Sequence, residues 1–391
     1  MKYSVCIFTG TRADYGLLKN LIVRLNNNPK IDLQLLISGS HLSDNFGNTK
    51  NEIVADGIKN IVEIPILSGD DSKLGMAKNT GNAIVKYTDY LADNTPNLLI
   101  VLGDRYETLA VVISAKMLGV PIAHISGGDV TEGAIDDQIR HSITKMSDIH
   151  FPGCEQSRKR IIQMGENPDM VFNVGEPGVE NCLNTDFLSR EELADSLGFK
   201  GLLSNYAVVT YHPVTTENNT EIAQVKNLIS AMDSVPEMSY IITMANADAG
   251  GKSINNYWKS EAKSHPRWIA VDSLGSRRYL SAVKYAKAVI GNSSSGIIEA
   301  PSLHVPTVNI GDRQKGRQMA DSVVSCPPVT DDILMAINAV LKPEFKEKCL
   351  NVASPFGDGK TSERIERHIV DFLQSENYSP KKPFFDIDFC V

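Results

Sequence analysis

Two spacings of apolar residues alternate along the chain. "KYSVCIFTG" (2–10) is a short unbroken apolar run ending in a glycine turn, the pattern of a strand buried on both faces. "DYGLLKNLIVRLNN" (14–27) then carries apolar residues at helical spacing, and "DLQLLISGS" (32–40) returns to a strand-like run. The alternation continues with a helix over 72–93, a strand in "NLLIVLGD" (97–104), a helix in "RYETLAVVISAKMLG" (105–119) and a strand in "VPIAHISGGD" (120–129). It resumes in "NYAVVTYHP" (205–213), the helical "TEIAQVKNLISAMDS" (220–234), "MSYIITMANAD" (238–248), the helical "SRRYLSAVKYAK" (276–287), "AVIGNSSSG" (288–296) and "VPTVNIGDR" (305–313). Strand, helix, strand without hairpin signals predicts parallel sheets wrapped by helices, an α/β fold.

The rhythm breaks over 165–204, where "GEPGVEN" and "NTDFLSREELADSLGFKG" intervene, so two parallel α/β domains are predicted with the joint in this stretch. Set at 172–173, the joint gives an N-terminal domain 1–172 and a second domain 173–360. Residues 361–391 read as an amphipathic helix followed by an aromatic, proline-containing tail, an extended segment expected on the surface. A length of 391 residues is itself too great for one ordinary core.

Composition narrows the partners. The formal net charge of −8 argues against a nucleic acid or a membrane surface, both of which select basic protein. The opening run lacks a signal peptide's long apolar core, and no window reaches the ~18 apolar residues of a membrane span, so a cytoplasmic location is expected. Six scattered cysteines form no CxxC or CxxH pair, which speaks for free thiols in a reducing compartment rather than a zinc site.

Polar residues cluster at predicted strand ends, where open α/β sheets bind ligands, and a crevice between two domains would gather them. In "GNSSSGIIE" (291–299), Ser293, Ser294 and Gly296 stand where a helix begins, and Glu299 follows a turn later. Such a start seats a phosphate on its amides, with Glu299 placed for ribose hydroxyls; equally, Ser294 or Ser295 caps the helix. "GDRQKGRQ" (311–318) adds Arg313, Lys315 and Arg317, either a grip on a diphosphate or a solvated basic loop. "GTRADYG" (10–16) brings Arg12 to the end of the first strand without the spacing of a phosphate loop, and "NADAGGKS" (246–253) fails as a P-loop because Asn246 stands where glycine is required.

"LGDRYE" (102–107) puts Asp104 and Arg105 at a strand end, as ligand-facing groups or a helix cap. "HISGGDVTEGAIDDQIRH" (124–141) is dense in titratable groups. The Gly-Gly pair before Asp129 points to backbone held close to something, while Asp136–Arg140 and Asp137–His141 have the spacing of plain helical ion pairs. His212, in "YHPVTTE" (211–217), is a structural histidine or one that touches a phosphate or moves a proton.

Taken together, "TGTRADYG", "GNT", "LGDRYE", "HISGGD…IDDQIRHSITKMS", "YHPVTTE", "NADAG", "GNSSSGIIE" and "GDRQKGR" give the chain a resemblance to the hydrolysing UDP-N-acetylglucosamine 2-epimerases of sialic-acid-type sugar pathways, in family order over nearly its whole length. The resemblance implies two Rossmann-like domains in the glycosyltransferase-B arrangement, with the C-terminal segment 361–391 packing back toward the first domain, and a homodimer or homotetramer. It implies a reaction on UDP-N-acetylglucosamine that releases UDP and N-acetylmannosamine through 2-acetamidoglucal, with neither metal nor nicotinamide. It implies proton transfer or charge stabilisation by Asp104 and Asp136, and a place for His212 by the nucleotide. Diphosphate and ribose contacts fall to Ser293, Ser294, Gly296 and Glu299, and further ligand contacts to Arg12, Arg105, Asn246 and Arg313.

One departure stands out. Many members have Glu before the Gly-Gly pair, where this chain has Ser126. A serine cannot act as the base, so either Asp129 does, or Asp104 and Asp136 suffice and position 126 tunes sugar recognition. The second choice, together with residues 66–79, points to UDP-2,4-diacetamido-2,4,6-trideoxyglucose of the legionaminic acid pathway as an alternative substrate. From other classes, a glycosyltransferase of the same architecture and a non-catalytic nucleotide-sugar sensor fit the same fold.

Overall fold

The computed structural model describes residues 2–42, 50–70, 72–130, 135–213, 221–245, 251–375 and 381–388. It divides into two units. The first holds the described residues up to Val130, those from 135 to Glu180 and those from Gly359 onward; the second holds those from Asn181 to Asp358.

The first unit is built on strands β1 (Tyr3–Thr9), β2 (Ile31–Ser38), β3 (Ile61–Ile64), β4 (Leu98–Leu102), β5 (Ile122–Ile125) and β6 (Ile149–Phe151). Every pairing is parallel and the order is β3-β2-β1-β4-β5-β6. The second unit repeats the plan with β7 (Tyr206–Thr210), β8 (Ser239–Thr243), β9 (Trp268–Val271), β10 (Ala288–Gly291), β11 (Thr307–Ile310) and β12 (Val323–Cys326), in the parallel order β12-β11-β10-β7-β8-β9. The order reverses between β1 and β4 in one unit and between β7 and β10 in the other. A doubly wound sheet opens its ligand crevice at that point.

The unbroken apolar runs are explained by burial of both sheet faces. In β1, Val5 and Ile7 join one core, with Leu18, Ile22 and Leu35, while Cys6 and Phe8 join the opposite one, with Tyr87, Leu99 and Val101. β7 divides likewise, Val209 toward one face and Tyr206 and Val208 toward the other. Each such Val, Leu or Ile contributes about 1.5–3 kcal/mol.

The helix Thr361–Gln374 lies in the first unit, inserting Ile365, Ile369 and Phe372 into the core beside the helix Arg12–Asn27. Glu366 accepts from Arg24 Nε at 3.1 Å and Asn28 Nδ2 at 2.9 Å. Residues 381–388 have no regular structure but are tied down. Lys382 Nζ donates to Glu166 Oε2 at 2.6 Å and to the Lys145 carbonyl at 2.7 Å, and Phe385 N–H donates to the Gly165 carbonyl at 3.0 Å. β3, β6 and the helix Lys50–Ala55 have no counterpart in the sequence pattern. At four, three and six residues they are too short for periodicity to speak. Among the described helices none is long and apolar enough to cross a membrane. The five described cysteines are free thiols, four of them buried.

Candidate functional site

Each unit has its own constellation at the strand C-termini. In the first, β4 ends in Gly103, Asp104 and Arg105. The two guanidinium nitrogens of Arg105 grip both oxygens of the buried Glu107, at 3.1 and 2.9 Å, so Arg105 is anchored at its base and half-open to solvent. Asp104 is ion-paired with Arg140, a guanidinium only 6% exposed, whose other arm donates to the Asp129 carbonyl at 3.0 Å. Asp129 accepts from the Ser157 hydroxyl, and that hydroxyl lies 3.2 Å from the Cys154 thiol. One arginine thus fixes the ends of β4 and β5 relative to each other and carries two of the predicted acids with it.

Arg140 reaches beyond its own helix to pair with Asp104 just past the end of β4, and the Asp137–His141 pair forms at 3.6 Å. Asp136 is exposed on the first turn of the helix Ile135–Met146, one turn before Arg140. The Gly-Gly pair is indeed held close. A side chain on Gly127 would meet His124 and Thr144 at 2.8 Å, and one on Gly128 would meet the Ser157 carbonyl at 2.5 Å. His124 itself is fully buried beneath the site, with Nε2 2.8 Å from the Gly103 carbonyl, and burial drives its pKa down to about 3. His41, buried against the Thr9 hydroxyl at 3.0 Å, is lowered to about 4 for the same reason. Neither acts as a cation near neutral pH. Arg12 is exposed at the start of its helix, behind Thr11, whose hydroxyl caps the Asp14 amide at 3.2 Å.

The second unit gathers its residues around Asn292, which is fully buried. Its carboxamide accepts from the His212 N–H at 2.7 Å and donates to the His212 carbonyl at 2.8 Å, and its own carbonyl accepts from Gln314 at 2.9 Å and Arg313 at 3.2 Å. The ends of β7 and β10 and the loop after β11 are stitched by that one residue, its side chain holding His212 and its backbone carbonyl holding Arg313 and Gln314. Ser294 holds the cap position of the helix Ser295–Ser302 but makes no capping hydrogen bond. The capping alternative for Ser294 therefore falls. Gly296 is buried, its carbonyl accepting from the Thr307 hydroxyl at 2.8 Å.

Behind the turn, the Tyr279 hydroxyl, the Ser295 hydroxyl and the Glu299 carboxyl are buried together, with Ser295 between the other two. Burial pushes the Glu299 carboxyl up, with Ser295 and the charge of Arg317 pulling the other way. Tyr279 is raised to about 12, again chiefly by burial. Of the three cations after β11, Arg313 and Arg317 are half-buried and Lys315 is exposed. Asn246 lies outside the described residues, as do the GNT stretch and the rest of NADAG.

Arg140, Asn292 and Tyr279 escape a reading of the sequence. Spacing along a helix shows which residues share a face, not which strand end they reach, and Tyr279 looks like one more apolar-face residue of an amphipathic helix.

Two doubly wound units, one with acids and the other with amides, hydroxyls and arginines at the crevice edge, define a fold and site of the nucleotide-sugar class, with a glycosyltransferase-B-type architecture. Comparison with known proteins makes the class particular. Residues 23–370 match the family model described as UDP-N-acetylglucosamine 2-epimerase, and the chain belongs to that family. It is 39% identical to a GDP/UDP-N,N'-diacetylbacillosamine 2-epimerase (hydrolyzing) of Campylobacter jejuni, over 88% of this chain and 89% of that protein. It is 37% identical to the polysialic acid biosynthesis protein P7 of Escherichia coli, over 98% and 97% of the two. Its fold is similar to the crystal structure of Neisseria meningitidis UDP-GlcNAc 2-epimerase bound to UDP-GlcNAc, with a TM-score of 0.78 over 95% of this chain and all of that one, at 20% identity. The protein is accordingly an enzyme of the UDP-sugar 2-epimerase kind.

Proposed function

We propose that the protein is a hydrolysing 2-epimerase that converts UDP-N-acetylglucosamine and water to UDP and N-acetylmannosamine, supplying a sialic-acid-type pathway. The observation that carries the reading is the array Asp104–Arg140–Asp129, in which one buried guanidinium pairs with the Asp104 carboxylate and holds the Asp129 backbone carbonyl at the adjacent strand end, while the Ser157 hydroxyl donates to the Asp129 carboxylate. The proton on C2 of the sugar is not acidic, so it leaves only as the C1–O bond to the diphosphate breaks. That elimination gives 2-acetamidoglucal and UDP, and water then adds across the double bond with a proton returned to the opposite face of C2. The acids of the first unit serve the proton transfers and steady positive charge developing at C1. Asp136 joins them from the helix start, on the face resemblance assigns it.

The second unit takes the leaving group. The amides and hydroxyls of Ser293, Ser294 and Gly296 receive the diphosphate, Arg313 neutralises it, Glu299 accepts from the ribose, and His212 stands beside them at the end of β7. Arg12, Arg105 and Asn246 are assigned to further ligand contacts. A binding protein has no need of carboxylates turned toward an anionic ligand, which weighs against a mere sensor.

A second substrate is favoured by two observations, Ser126 in place of a glutamate and the 39% identity to a diacetylbacillosamine epimerase. In that reading the same elimination acts on UDP-2,4-diacetamido-2,4,6-trideoxyglucose. Incubation with each sugar, without acceptor, separates the readings. UDP release with free N-acetylmannosamine is expected from UDP-N-acetylglucosamine; turnover of the diacetamido sugar alone establishes the second reading. UDP release only when an acceptor is added would mean glycosyl transfer.

A further inference from the structure

Ser126 ends β5 at the edge of the acid face, and the reaction as described leaves it without a task. It is one of two non-glycine residues among those described with a positive φ, at +58°, a conformation that persists where the surroundings impose it. Two hydrogen bonds impose it here. The Ser126 N–H donates to the Phe151 carbonyl at 3.0 Å, and its hydroxyl donates to Glu176 Oε2 at 2.9 Å.

Glu176 comes from the "GEPGVEN" stretch, fifty residues further along, and is 8% exposed. The first unit is shaped around it. A side chain on Gly153 would lie 1.8 Å from Glu176 Oε1, so only glycine leaves room for the carboxylate. The Glu176 carbonyl accepts from the Thr361 hydroxyl at 3.3 Å, and Glu180, one turn on, is held by the Ser362 N–H at 2.9 Å and the Ser362 hydroxyl at 2.5 Å. Asp129 is close by. Burial raises the Cys154 thiol, Ser157 opposes this, and the charges of Asp129 and Glu176 both add to the rise.

From these contacts we propose that Glu176 is a further functional carboxylate of the acid face, delivered from outside the β5 motif and acting as a positioning residue through Ser126. Because the single proton of the Ser126 hydroxyl points to Glu176, Ser126 offers only lone pairs to the crevice and receives an N–H or O–H of the sugar. The carboxylate sits on the far side of that bond and holds the acceptor in place as the ring changes shape. A carboxylate this buried is a poor stabiliser of a fold, which is the reason to look for its use in the reaction. The inference rests on the 2-epimerase reading.

The test uses the full-length enzyme with UDP-N-acetylglucosamine and with the diacetamido sugar. Wild-type turnover of either sugar establishes the reading itself, independently of Glu176. Glu176→Gln is expected to lower kcat about 100-fold, within the range of lost proton-transfer or charge-positioning groups, with the UDP Kd within twofold and the melting temperature unchanged or raised. The exchange variant Ser126→Glu/Glu176→Ser returns a carboxylate from the other side of the same hydrogen bond. It is expected to recover at least tenfold over Glu176→Ser alone. A Glu176→Gln enzyme with kcat within twofold of wild type, or an exchange variant no faster than Glu176→Ser, would overturn the proposal while leaving the 2-epimerase reading intact.

Discussion

The two units share one strand order and differ in what stands at the strand ends. In the first, an ion pair fixes the site: Arg140 holds Asp104 by its charge and Asp129 by its backbone. In the second, one neutral residue does the fixing: the Asn292 carboxamide holds the end of β7 and its backbone carbonyl holds the loop after β11. On the proposed reading, the difference follows from what each unit would receive. Carboxylates that must move protons need a cation to orient them, whereas a seat for a diphosphate needs its donors aimed outward and its scaffold uncharged. A fold repeated twice therefore supports two chemistries, and the chemistry lives in the loops after β4, β5, β7, β10 and β11.

That division predicts opposite signatures for substitutions in the two units. Asp104→Asn should give the largest effect, a fall in kcat of about 100-fold or more, with UDP affinity within twofold of wild type; steady-state kinetics beside UDP titration calorimetry reads both. Asp136→Asn should move in the same direction. Should either keep near-normal turnover, that acid leaves the mechanism. Arg313→Ala should reverse the signature, weakening UDP roughly tenfold, the worth of about one charge-assisted hydrogen bond, with the fold intact. An unaltered titration would remove Arg313 from the seat. Asn292→Ala should weaken UDP and also lower stability by about 1–3 kcal/mol, because the buried N–H and carbonyl of His212 lose their partner; urea unfolding measures it.

The smallest effect on turnover is expected at Glu166, remote from the acids. Burial alone pushes its carboxyl up, but His150, Lys382 and Lys145 outweigh that and hold it at about 2. A folded pKa below the unfolded one contributes stability that is fully present above about pH 4.5 and is lost as the pH falls toward 2. Glu166→Gln should leave kcat at pH 7.5 unchanged and flatten the loss of stability across that window, read by thermal melts at a series of pH values. A melt profile with wild-type slope would show that the tail anchor adds nothing to acid stability.

Much of this site was legible because strand ends are legible. The runs that end at Thr9, Leu102, Ile125, Thr210, Gly291 and Ile310 are buried on both faces, and the polar residues after them have nowhere to go but the crevice edge. What escaped was everything decided across the chain. The Asp104–Arg140 pair was invisible because spacing along a helix carries no information about a neighbouring strand end. "GEPGVEN" looked like a break in rhythm, yet it carries Glu176 to Ser126. Asn292 looked like one polar residue among several in a turn, and only its burial shows that it organises the others.

The most direct measurement of the central claim is NMR of the sugar formed from UDP-N-acetylglucosamine in deuterated water. If the acids of the first unit open and refill C2 while the second unit keeps the nucleotide, the product is free N-acetylmannosamine with deuterium at C2, in step with UDP. A product still joined to UDP, or a free sugar with hydrogen retained at C2, would contradict it.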